Sequence, residues 1–309
     1  MVVLRKSSLL ASVAMCGALL LASCGDDDNA PTPTPTDSPT PSPTPTETPT
    51  PTATDFDFAK DFEASVSNTS YIYAYFTPAG EAEVFNGSSR FTGLGSVNYA
   101  ASPNTVAYSA PDSTEIRNFA AADLESAAAD IRTYRKGAEG LVMELPFEHI
   151  LRVSYERVDA YVRETVAGDL RSNRVTLFFN SVTTSDAITT NLSYTGSAQV
   201  VGGKPGETAP ETYSSPTATL TVAASDKKVS GTIQIVTVSG GTTTVVAEIP
   251  ISATLTDKNV LSGDIKDTAR GFTGKYIGSL AGPNREEAFV IFELIHTDGR
   301  RLLGSFIAN

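Results

Sequence analysis

The chain has 309 residues, 40% of them hydrophobic, with 23 Lys+Arg against 35 Asp+Glu and a net charge of −12. So acidic a protein is repelled by phosphate backbones, which excludes nucleic acid as a partner. Trp is absent, His occurs twice, and the two Cys, Cys16 and Cys24, both lie near the amino end; this leaves few catalytic side chains and no disulfide beyond residue 24, and favours a binding module over an enzyme.

The first 23 residues read as an export signal. Arg5 and Lys6 supply positive charge, and Leu9 to Leu21 form an apolar run broken only by Ser12 and Gly17, too short to span a bilayer comfortably. Leu21-Ala22-Ser23-Cys24 follows and resembles the bacterial lipobox at every position. The resemblance implies cleavage after Ser23, lipid on the Cys24 sulfur and acylation of the freed amine, so that the protein is held to a lipid membrane by several acyl chains, as stable anchoring requires. Gly25 rather than Asp after the cysteine favours the bacterial outer membrane, at the cell surface or on its periplasmic face. Loss of Arg5 and Lys6 with the signal leaves 21 basic and 35 acidic residues, a net charge of −14.

Residues 24–54 form the lipidated Cys and a linker. Between Ala30 and Thr54 stand nine of the 18 prolines and ten threonines, mostly alternating. With no large apolar side chain to bury, the segment is expected to be disordered and polyproline-II-like, reaching on the order of 75 Å at about 3.1 Å per residue. It reads as a stalk that lifts the following domain from the membrane.

From residue 55 onward, period-two patterning predicts a mainly β fold. Over 55–185, strands are expected at Tyr71–Phe76, Gly140–Leu145, Leu151–Arg163 and Val175–Phe179, with one short helix in the alanine-rich run Phe119–Ala129. Tyr71, Tyr73 and Tyr75 make a one-faced stripe, expected in the core. Over 186–309 eight strands are expected, at 190–201, 217–223, 229–238, 243–255, 259–265, 272–280, 287–296 and 301–308. In the fourth, Val245, Ala247, Ile249, Ile251, Ala253 and Leu255 alternate without a break while Glu248, Ser252 and Thr254 share the opposite face, as one buried and one wet face require. The seventh, Ala288–Ile295, is apolar on both faces and so expects cover from outside. Short turn-rich separators suit hairpins, giving an eight-stranded antiparallel up-and-down barrel. Its polar outer faces argue for a soluble barrel and against a membrane-spanning one, which needs an apolar outer band with aromatic girdles.

Catalytic, cofactor and metal sites are not expected. His149 and His296 are too few for a three-histidine centre, and neither a Gly-x-Ser-x-Gly elbow nor a Gly-x-Gly-x-x-Gly loop in strand-to-helix context occurs. Asp55-Phe56-Asp57 lacks the continuation of a calcium loop.

Toward the carboxyl end, Gly271-Phe272-Thr273-Gly274-Lys275-Tyr276, Gly282-Pro283-Asn284-Arg285-Glu286-Glu287 and Gly304-Ser305-Phe306 follow one another, preceded by Tyr194-Thr195-Gly196-Ser197-Ala198 and Val229-Ser230-Gly231-Thr232-Ile233. This pattern resembles the barrel of the transferrin-binding-protein-B-like surface lipoproteins, whose run is Gly-x-Phe-x-Gly-x-Phe-Tyr-Gly-Pro-x-x-x-Glu. Here Gly278 to Ala281 separate its two halves, Ala288-Phe289 replaces the family's next Gly-Gly, and its Pro-x-x-Gly gives way to Thr189 to Leu192. The resemblance implies a handle-like β domain (55–185) before the barrel (186–309), with Gly274, Tyr276, Gly282, Pro283 and Glu286 in structural roles. It also implies capture of a protein or iron-bearing ligand, with a TonB-dependent outer-membrane receptor as partner. The alternative is a structural or envelope-associated lipoprotein with no transported ligand.

Overall fold

The computed structural model describes residues 55–208 and 213–309, which belong to one compact unit. Leu21, Ala22, Ser23, Cys24 and the linker 24–54 lie outside the described residues. The first eleven strands are β1 (Phe62–Ser67), β2 (Ser70–Pro78), β3 (Val84–Phe91), β4 (Leu94–Ala100), β5 (Thr105–Ser109), β6 (Arg117–Phe119), β7 (Leu124–Ala127), β8 (Ile131–Lys136), β9 (Glu139–Glu144), β10 (Ile150–Arg163) and β11 (Val166–Phe179). They form a four-stranded sheet, β1-β4-β5-β6, and a seven-stranded sheet, β3-β2-β11-β10-β9-β8-β7. All four strands expected over 55–185 are present.

The expected helix is not. Ala121–Asp123 make a single 3-10 turn and Leu124–Ala127 pair with β8. Alanine favours helix, but in Phe119–Ala129 only Phe119 is buried. A helix there would have no apolar stripe to pack, and packing rather than propensity holds short helices.

Nine further strands follow: β12 (Leu192–Gly203), β13 (Tyr213–Ser214), β14 (Ala218–Val222), β15 (Lys228–Ser239), β16 (Thr242–Thr254), β17 (Val260–Asp267), β18 (Phe272–Ala281), β19 (Glu287–His296) and β20 (Arg301–Ala308). Apart from the two-residue β13, these are the eight expected strands. They curl as a meander in which β20 returns to pair with β12. Inside lie Ile233, Ile235, Ile249, Leu261, Tyr276, Phe292 and Phe306, all at most 2% exposed. One inward assignment shifts: a bulge between Ile235 and Val236 leaves Val246 as the extra residue on β16, and Val246 rather than Val245 packs on the core.

The barrel is not closed by a hydrogen-bonded ladder. β17 pairs with β18 but not with β16, so the Thr256–Asn259 separator joins strands that the sequence pattern expected to pair. The physical reason lies on β16. Glu248 N–H donates to Asp267 Oδ2 (2.8 Å) and Ser252 N–H donates to the Tyr276 hydroxyl (3.1 Å). Pro250, between them at the same strand phase, has no N–H to give. Side chains therefore close the eighth seam, and the other seven are ladders.

The seven-stranded sheet is covered on both faces. On one, Leu151, Val153, Tyr155 and Phe178 pack with Phe62, Val97, Tyr99 and Tyr108 of the four-stranded sheet. On the other, Tyr71, Ile150, Val175 and Leu177 pack on Phe289, Ile291, Leu303 and Ile307 of the barrel wall. This explains the seventh strand of the barrel, β19, whose outer apolar face was expected to be covered. Tyr71 of the tyrosine stripe is buried, while Tyr73 and Tyr75 are half-buried.

Candidate functional site: motif residues, hairpin tip and grooves

Gly274 lies flat against β19, and a Cβ there would collide with the Glu293 carbonyl oxygen. Tyr276, two residues on and 2% exposed, crosses Gly263 of β17 to reach Ser252 on β16. A side chain on Gly263 would overlap its hydroxyl. Tyr276 is thus a closing residue of the barrel.

The second half of the motif forms the joint between the barrel and the seven-stranded sheet. Gly282, at φ +84°, takes a left-handed turn that a Cβ would drive into Glu286 and His149. Its N–H donates to Asn180 O (2.9 Å), and Pro283 O accepts from Thr183 N (3.1 Å) and Thr184 N (2.9 Å). Glu286 caps the turn by accepting from Asn284 N (2.9 Å) and Asn284 Nδ2 (2.8 Å). Burial pushes the Glu286 carboxyl up, but these bonds outweigh it and the group sits below its ordinary pKa.

Glu287, 3% exposed, accepts from Glu148 N and His149 N, both at 2.9 Å. Burial raises its pKa in spite of these bonds. His149, in the loop before β10 as expected but 5% exposed, holds Nδ1 3.2 Å from Asp55 Oδ1, an ion-pair approach without hydrogen-bond geometry. Its Nε2 lies 3.9 Å from Glu286 Oε2. His296, on the final residue of β19, has Nδ1 2.7 Å from Asp298 Oδ1 in the hairpin that follows. Asp57 is an Asx cap, accepting from Ala59 N at 2.8 Å. Among the described residues no group of His, Cys, Asp or Glu is arranged to hold a metal ion.

Each of these motif residues is engaged in contacts within the fold. β10 and β11 pair over their full lengths, but β9 backs β10 only from Arg152 to Arg157. Beyond Val158 the outer edge of β10 is therefore unpaired among the described residues, while β2 backs β11 as far as Ala167. The tip of the β10–β11 hairpin carries Tyr161 (42% exposed), Val162 (60%) and Val166 (47%), three of the seven exposed large hydrophobics among the described residues. Tyr161 is steadied by an edge-on contact with Phe76, ring centroids 6.0 Å apart. The sequence reading placed a strand here but missed the tip. Its signal was apolar residues on both sides of the Glu164 turn, where a hairpin normally turns polar.

Several grooves border the barrel, among them two beside charged side chains. One, of about 640 Å³, runs over Gly274 and Ile295 between Arg90 and Lys266. The other, of about 250 Å³, lies between the Pro146–Phe147 loop and the β12–β20 wall, beside Arg152.

No known protein family matches the chain, and no curated protein matches it. Among solved structures it is similar to transferrin binding protein B from serogroup B Neisseria meningitidis, at 14% identity over 77% of this chain and 43% of that one, TM-score 0.41. It is also similar to a double mutant of transferrin binding protein B from Haemophilus parasuis, at 14% identity over 81% of this chain and 59% of that one, TM-score 0.39. A protein of unknown function from the DUF3598 family of Nostoc punctiforme matches at 12% identity over 81% of this chain and 94% of that one, TM-score 0.24. The chain thus spans about half the length of the transferrin binding proteins it matches.

Proposed function

We propose that the chain is a stalked lipoprotein of the bacterial outer membrane that captures a protein or an iron-bearing ligand without catalysis and passes it to an outer-membrane receptor of the TonB-dependent kind. The observation that carries the capture is the apolar tip of the β10–β11 hairpin. Exposed large hydrophobics are usually scattered singly, and three within six residues at a hairpin end beside an unpaired strand edge favour a contact surface. The anchor rests on the lipobox Leu21-Ala22-Ser23-Cys24, and the stalk on the Pro/Thr run that follows. The family resemblance of the barrel motifs supplies the ligand class.

Cys24→Ala is expected to move the protein from the membrane fraction to the soluble one; lipid labelling that persists in this variant would refute the anchor. The freed full chain then serves as bait for proteins of the bacterium's growth medium. A retained partner that Tyr161→Ser with Val162→Ser releases, with far-UV circular dichroism unchanged, supports capture by the tip. A partner held equally by both proteins assigns capture to another surface. Proteinase treatment of intact cells distinguishes outward display, which the receptor reading requires, from a periplasmic position.

A further inference from the structure

Arg152 is the feature that the motif roles and the hairpin tip leave unexplained. It stands on β10 in the joint between the seven-stranded sheet and the barrel, and it is 5% exposed. Its Nε has no hydrogen-bond partner, and its one ion pair is long, Nη1 to Glu144 Oε2 at 3.4 Å. Two other arginines have an unpaired Nε, but both have outlets. Arg132 donates to Ala128 O and Ile131 O and lies over the Phe58 ring, and Arg90 is only half-buried. A buried, poorly neutralised guanidinium is costly, and such a group in a native fold marks an ion, water or ligand that completes it.

Arg152 also lines a groove of about 250 Å³, although its Nε is itself enclosed by protein, so a ligand there would meet another part of the side chain. Arg152 is the sole charged residue of the groove lining; Glu144 is not part of it. Pro146, Phe147 and Ile307 give an apolar wall, and Ser197 and Gln199 give neutral polar groups. At roughly 30 Å³ per water-sized group, the space holds about eight. One positive charge, an apolar wall and this volume fit a small anion with an apolar body. We propose that the groove binds a small monocarboxylate, with the carboxylate on Arg152 and the apolar body against Phe147 and Ile307. This site is independent of protein capture by the hairpin tip.

The test uses the full chain in a neutral detergent and 4-fluorobenzoate as probe, read by its fluorine resonance. Saturable binding is expected, with Kd on the order of a millimolar for so small a ligand. Butyrate should displace the probe, and benzamide, its uncharged isostere, should not. Arg152→Met should weaken binding at least tenfold. Because that change sits in the joint, Phe147→Ala is measured beside it and should weaken 4-fluorobenzoate more than acetate.

Four results would overturn the proposal: no saturation, equal binding of benzamide, an unchanged Kd in Arg152→Met, or displacement by inorganic phosphate as effective as by butyrate. The last would mean an unselective anion site. A short peptide with a free carboxyl terminus is the remaining arm. If it displaces a fluorinated analogue of itself while the free acids fail to bind, the carboxylate belongs to a polypeptide and the small-acid assignment falls.

Discussion

The two sides of the barrel are built on different principles. On the side of β19 and β20, both faces of the wall are apolar where the seven-stranded sheet covers it. Phe289, 1% exposed, meets Phe179 of the seven-stranded sheet with ring centroids 5.0 Å apart, while Phe292 points into the barrel. There the ladders are complete. On the side of β16 and β17 the outer face is open to water and no ladder joins the two strands. Asp267 and Tyr276 hold that seam by one bond each to a backbone N–H. The comparison teaches that side chains can close a barrel where proline breaks the ladder. The consequence is local weakness, because single bonds replace a cooperative row.

The largest effect should come from the well-backed side. Phe289→Ala removes a buried ring packed on Phe179 and should destabilise the protein by about 3–5 kcal/mol, measured by denaturant unfolding. A cost below that of an average surface change would mean that the sheet does not bear on the barrel.

At the seam, Asp267→Ala leaves Glu248 N–H unpaired and removes the ion pair to Arg270 Nη1 (3.3 Å). A loss of about 1–3 kcal/mol is expected, with faster hydrogen exchange in β16 and β17 than elsewhere in the barrel. Uniform acceleration across all strands would contradict a weak line there. Tyr276→Phe deletes a single hydroxyl and should cost about 0.5–1.5 kcal/mol, with the same regional exchange pattern.

Glu287 sharpens the comparison at the joint. Its folded pKa is raised above the ordinary 4.5 by burial, so the folded state binds the proton more tightly than the unfolded chain. Stability from this group is full below the ordinary value and is lost as pH rises through the folded one. Urea midpoints of the wild type and Glu287→Gln should therefore differ little in acid, with the variant gaining as pH rises toward neutrality. A constant gap across that range would deny the shift. The smallest effect belongs to Lys275 and Asp264 on the open side. Their 3.2 Å pair has side chains 78% and 68% exposed, and Lys275→Ala should leave thermal unfolding essentially unchanged.

The eight barrel strands were legible because their alternation and turn residues are local signals. Ser239-Gly240-Gly241 and Thr297-Asp298-Gly299 mark hairpins wherever they occur. The doubly apolar β19 even announced its outer cover. The seam was not legible, because it depends on Asp267 and Tyr276 meeting β16 from neighbouring strands, a relation that no window of sequence contains. Pro250 was the one local hint. The run Phe119–Ala129 misled for the opposite reason: its local preference is helical, but it offers only Phe119 to a core. Of the candidate sites, the motif residues were read from resemblance and serve in strand contacts and turns of the fold. Arg152 and the hairpin tip emerge only from burial and exposure.

The described chain begins at the joint itself. Phe56 N–H donates to Glu148 O at 2.9 Å, and the Asp55 carboxylate faces His149. Residues 55 and 56 are thus pinned midway between sheet and barrel, next to Glu286 and Glu287, with the Phe56 side chain only 5% exposed. Any force that reaches Asp55 meets this buried ring and its backbone bond before it meets a strand ladder.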